Sequence, residues 1–169
     1  MKNRKMQPDD ISVYLEDKEY TANTYVMKCF SITMVLYLIT VILNVLGIFI
    51  VDQGLMRGGF LPSAVIYIIV YLVTRKVSLS DTRVKYFVLS GIILVYTIIG
   101  VTLTYHAVLL SVLPFLYATI YSSKRVMNYV YILTAISTVL IVYGGYYFGL
   151  CDANMAVLTT GRLQGYVVD

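Results

Sequence analysis

The chain has no tryptophan, one histidine, two cysteines and three prolines among its 169 residues. Each scarcity closes a class of function. One histidine, with cysteines only at 29 and 151, leaves no two-histidine or paired-cysteine spacing for a zinc, iron or redox centre. The two thiols fall at opposite expected membrane faces, so both are expected to be free. There is no phosphate-binding glycine loop and no grouping of serine, histidine and carboxylate, so neither a catalytic residue nor a metal or cofactor is expected. Charge is scarce too. Only 13% of residues are charged, and the long apolar runs contain none of them. The net +4 therefore does not describe a nucleic-acid surface, and an ion-coupled transporter, a proton pump or an intramembrane metal enzyme would need the buried charge that is missing.

What the sequence has in quantity is apolar surface. A hydrophobic fraction of 59% and a mean hydropathy of +0.80 predict an all-α integral membrane helical bundle, multi-pass in a cell membrane, with the lipid bilayer as its first partner. Taking about 20 residues per crossing, five transmembrane helices are expected, at about 29–51, 58–74, 86–105, 106–122 and 128–149. They form a domain over 28–149, preceded by a leader at 1–27 and followed by a tail at 150–169. The tail is too polar to cross. No cleavable signal is expected, because the first apolar run begins only near Met27.

Lysine and arginine set the orientation. Eleven of the 13 lie in the amino-terminal segment before the first span (Lys2, Arg4, Lys5, Lys18, Lys28), the second loop (Arg75, Lys76, Arg83, Lys85) and the fourth loop (Lys124, Arg125). Only Arg57 and Arg162 fall on the other side, so the amino terminus is expected in the cytoplasm. Five crossings then leave the tail outside, leading to a sixth span beyond this chain.

Local signals refine the picture. Asp9 and Asp10 after Pro8 predict a short leader helix through "ISVYLEDKEY". Pro62 is expected in the first turn of the second span, and Pro114 is expected to bend the fourth near its middle. Small and hydroxylated residues recur at helical spacing: Ser90, Thr97 and Thr104 beside Gly91 and Gly100, then Thr134, Thr138, Gly145 and Gly149. Such faces let helices approach closely in lipid. Most of the 17 tyrosines, among them Tyr86, Tyr121 and Tyr129, are expected in the interfacial belts.

By this topology one polar and aromatic cluster gathers at the outer ends of the spans. Asn44, Thr104, Tyr105, His106, Tyr143 and Tyr146 are its members and the candidate ligand-binding residues. His106, at the outer turn, would titrate near neutral pH there.

The runs "LTYHAVLLSVLPFLYATIYSSKRVMNYVY" and "VYGGYYFGLCDANM", with the preceding "VIYIIVYLVTRK", resemble the amino-terminal multi-span sensor region of membrane-bound diguanylate cyclases from Gram-positive bacteria. The resemblance covers about residues 25–160. It implies a sensory module whose signal passes to a cytoplasmic output domain in the same polypeptide. The Gly-Gly-Asp/Glu-Glu-Phe signature of the cyclase domain does not occur in this chain, so no nucleotide or magnesium site is assigned to any of its residues. The expected function is a membrane sensory or anchoring module, not itself an enzyme, with a homodimer as a compatible assembly. The alternative is a small transporter or accessory membrane subunit for a neutral solute, which needs no buried charge.

Overall fold

The computed structural model describes residues 8–48, 53–103 and 110–148, with side chains from Val13 to Gly144 within those ranges. Every regular element among them is a helix: α1 (Pro8–Val45), α2 (Gln53–Lys76), α3 (Thr82–Leu103), α4 (Leu113–Ile120) and α5 (Lys124–Phe148). Four of these, α1, α2, α3 and α5, are long and apolar enough to cross a membrane.

From Pro8 the leader continues without a break into the first apolar run, as one helix that ends at Val45. Pro8 opens α1, where its missing N–H costs nothing, and Asp9 and Asp10 stand at the positive end of the helix dipole. Nothing interrupts the next 37 residues, so α1 reaches about 57 Å at 1.5 Å per residue, against a hydrocarbon thickness of about 30 Å. It stops at Val45 because Gly47 takes a left-handed conformation (φ 73°). The Gly47 N–H then donates to the Asn44 carbonyl and the Ile48 N–H to the Leu43 carbonyl, both at 3.0 Å, closing a Schellman motif.

The second helix begins at Gln53, which makes Pro62 an interior residue and not a first-turn one. The ring would press on the carbonyl four residues back, at Gly58, and the Ser63 hydroxyl donates to the neighbouring Gly59 carbonyl at 2.8 Å. Asp81 caps α3, its Oδ1 accepting from the Arg83 N–H at 2.8 Å. Pro114 lies in the first turn of α4, so the expected mid-helix bend is absent from the described residues; a single 3-10 turn at 110–112 precedes the helix.

Side-chain pairs fix the directions. Glu19 meets Lys85 and Thr33 meets Tyr96, so α1 and α3 run parallel. Ser31 meets Tyr67 and Tyr37 stacks edge-on against Phe60, so α2 runs against α1. Ser90 meets Tyr129 and Thr97 meets Ser137, so α5 is parallel to α3. The described residues between α3 and α5 run back along the bundle. Residues 110–120 run about 17 Å at helical rise, with Tyr117 level with Tyr96 and Tyr121 level with Asn23.

The core centres on α3. Over its most apolar window 56% of α3 is buried, against 28%, 22% and 28% for α1, α2 and α5, so the other helices surround it and turn apolar faces outward. Phe30, Met56, Val88, Leu89, Ile92, Val95, Val126 and Val130 fill the interior.

Candidate functional site

Among the described residues the most polar buried constellation lies at the basic end of the bundle; most of the expected outer cluster lies outside them. Thr104, Tyr105 and His106 lie outside the described residues, as does the side chain of Tyr146. Of the other two, Asn44 is buried and hydrogen-bonding or otherwise engaged near the end of α1, while Tyr143 is exposed on α5.

At the basic end, α1 carries Glu19 and Asn23 one turn apart, on the face that continues through Val26 and Phe30 into the core. Asn23 is wholly buried. Its Nδ2 donates to the Leu79 carbonyl in the α2–α3 loop at 2.7 Å, and its Oδ1 accepts from the Tyr121 hydroxyl in the α4–α5 turn at 2.7 Å. The turn itself is held by Ser122 in a left-handed conformation (φ 49°). One turn earlier Glu19 Oε1 accepts from Lys85 Nζ of α3 at 2.5 Å. The ammonium is buried and the carboxylate only partly so, at 8% and 23% side-chain exposure, and Glu19 Oε2 has no hydrogen-bond partner among the described residues. Tyr121, whose hydroxyl is the donor, thus ties the turn to a side chain that has no other route to a partner for its Oδ1 among the described residues.

Above this constellation a ladder of hydroxyls joins the helices. Ser31 and Tyr67 are 2.9 Å apart, Thr33 and Tyr96 3.3 Å, Tyr96 and Tyr117 3.4 Å, Ser90 and Tyr129 2.6 Å, and Thr97 and Ser137 2.7 Å. Proton direction follows from counting donors. Ser31, Thr33, Ser90 and Thr97 each donate to the carbonyl four residues back, at Met27, Cys29, Tyr86 and Ile93. A hydroxyl has one proton, so their partners Tyr67, Tyr96, Tyr129 and Ser137 must be the donors, and Tyr117 in turn donates to Tyr96. Every chain ends on a backbone carbonyl. This is helix-to-helix attachment, and Tyr96 and Tyr117, like Tyr121 at the end of the bundle, turn their rings inward among the helices.

Glu19, Asn23, Lys85 and Tyr121 were hidden in the sequence by segmentation. With α1 begun near residue 29 and α3 near 86, the two charges belong to loops. A continuous α1 puts Glu19, Asn23, Val26, Phe30 and Met34 on one helical face, and that spacing was the available signal. Among the described residues no group of three or more histidines, cysteines or acids is placed to hold a metal. No family model, curated protein or solved structure matches the chain.

Proposed function

We propose that this chain is a multi-pass membrane module, sensory or anchoring, that relays a change in the bilayer or at its outer face to a cytoplasmic output domain outside the chain. In the family it resembles, that domain is a diguanylate cyclase. In this reading the basic end faces the cytoplasm and a fifth crossing joins α3 to α5; the parallel directions of those two helices support it.

The observation that supports it is the clamp on α1. A stiff helix about twice as long as the hydrocarbon layer is thick is held at Glu19 and Asn23 to α3, to the α2–α3 loop and to the α4–α5 turn. A shift of any of these elements displaces the amino-terminal turns of α1 as a lever. Such a shift changes output only by the difference in ligand affinity between two arrangements.

The test uses the native gene product with its output domain, with and without residues 28–149, and measures synthesis of the cyclic dinucleotide in membranes. A several-fold change on deletion supports the proposal. Equal activity with and without the spans overturns it.

A further inference from the structure

We infer that the groove between the amino-terminal half of α1 and the end of α4 holds the headgroup of one zwitterionic aminophospholipid, with its phosphate and primary ammonium, from the leaflet at the basic end. The inference rests on the reading that the bundle crosses a bilayer.

The groove has a volume of about 500 Å³ and is lined by Tyr14, Asp17, Lys18, Thr21 and Tyr25 of α1 and Ile120 of α4. It exists because α4 is short and is joined to α1 at its far end, by the Tyr121–Asn23 bond, leaving the adjoining flank of α1 uncovered. Asn23, Leu79 and Tyr121 mark the end of the bundle, and the groove runs along α1 across that end, from Tyr14 nine residues before Asn23 to Tyr25 two residues beyond it, about 17 Å at helical rise. It is long enough for a headgroup and the start of its acyl chains.

The chemistry of the lining selects the headgroup. Asp17 and Lys18 are exposed and form no ion pair or hydrogen bond among the described residues. Successive residues of a helix diverge by about 100°, so both line the groove without satisfying each other. A phosphate beside a primary ammonium complements that pair: Lys18 takes the phosphate, and Asp17 takes the ammonium on the side of the Tyr14 ring, less than one turn away. A headgroup with negative charge alone would meet Asp17 unfavourably.

The rest of the same helical face favours a lipid over a soluble phosphoamine. Positions 14, 18, 21, 25, 28, 32, 35 and 39 alternate steps of four and three, which is one face of α1. Beyond Lys28 that face is apolar and open, with Ile32, Val35 and Ile39 at 59%, 56% and 46% exposure. An acyl chain lies along it.

The full chain, purified in detergent and stripped of lipid, is titrated with phosphatidylethanolamine or phosphatidylglycerol of identical acyl chains, and bound lipid is counted by native mass spectrometry. One phosphatidylethanolamine is retained, about tenfold more tightly than phosphatidylglycerol, as one charge-assisted bond implies. Asp17→Lys reverses the preference and Lys18→Glu abolishes retention; both sites are exposed, so the variants keep the wild-type melting temperature. Equal retention of the two lipids, or the wild-type pattern in both variants, overturns the inference. So does Tyr25→Cys cross-linking two copies through the groove. Flotation on liposomes separates the two readings. A chain that fails to float removes the membrane reading itself, whereas one that floats without headgroup preference removes only the lipid site.

Discussion

The two ends of the bundle are held together by different physics. At the basic end, long-range polar bonds do the joining: Glu19 to Lys85, Asn23 to the Leu79 carbonyl, Tyr121 to Asn23. Toward the other end the close approaches are made at glycines. A β-carbon at Gly100 would stand 2.5 Å from Ile141 Cδ1, one at Gly144 2.9 Å from Val101 Cγ2, and one at Gly59 2.6 Å from the Tyr37 hydroxyl. Polar bonds of this kind can exchange partners and so admit a second arrangement, whereas a glycine contact is a matter of fit. The basic end is therefore the part of the bundle suited to change state, and the glycine end is the part that keeps the helices in register.

The comparison breaks most directly at Lys85. Lys85→Ala leaves the Glu19 carboxylate half-buried without its ammonium. Losing one member of a fully buried pair costs about 3–5 kcal/mol, and the partial exposure of Glu19 puts the expected loss near the low end, about 3 kcal/mol, in equilibrium unfolding in mixed micelles. The double change Glu19→Met with Lys85→Met recovers most of it, because the charge and its desolvation cost leave together. If Lys85→Ala is as stable as the parent, the ion pair holds nothing.

Tyr121→Phe is the next largest. It strands the wholly buried Asn23 Oδ1, at a cost of about 1–3 kcal/mol for an unsatisfied buried acceptor. Unfolding in mixed micelles checks it, and a Tyr121→Phe variant as stable as the parent would show that this bond does not hold the α4–α5 turn to α1.

The glycine end is tested by Gly100→Ala. The added methyl meets Ile141, a β-branched residue with few rotamers to retreat into, and overpacking of this kind costs about 1–3 kcal/mol. Gly58→Ala is the internal control, since nothing lies within 4 Å of a β-carbon there. There helix propensity acts alone and favours alanine by up to about 1 kcal/mol, so a loss at Gly100 beside a gain at Gly58 assigns the cost to contact with α5, and equal changes at the two positions would show that this contact costs nothing.

How much of this was legible in the sequence depends on what lipid does to hydropathy. The apolar windows of α1 and α3 have the same mean hydropathy, 2.2, yet α3 is the centre of the bundle and α1 is on its rim. Leucine facing lipid and leucine facing protein are equally apolar surroundings, so hydropathy finds the helices but not their inner faces. The small and hydroxylated residues carry that information. Ser90, Thr97, Gly91 and Gly100 marked α3 as a packing helix, and the first two do reach α5. The site was less legible, because a charged residue near a span reads as a loop until the helix is known to run through it. Lys85 is three residues inside α3, and Glu19 lies well inside α1.

The smallest effect is also the sharpest measure of the hydroxyl ladder. Thr97→Val keeps the shape of a buried residue and deletes its hydroxyl, which both donates to the Ile93 carbonyl and accepts from Ser137. In water the orphaned serine would be costly, but within a membrane such interhelical bonds average about 0.6 kcal/mol, because the unfolded reference also finds partners. The Ser137 hydroxyl, four residues beyond Leu133, can turn back to the Leu133 carbonyl in the manner of the other serines of the bundle. A loss of about 0.6 kcal/mol in mixed micelles is therefore expected, roughly a fifth of that for Lys85→Ala. Were Thr97→Val to cost as much as Lys85→Ala, the ladder would be as strong an attachment as the clamp, and the basic end would have no special claim to be the part that moves.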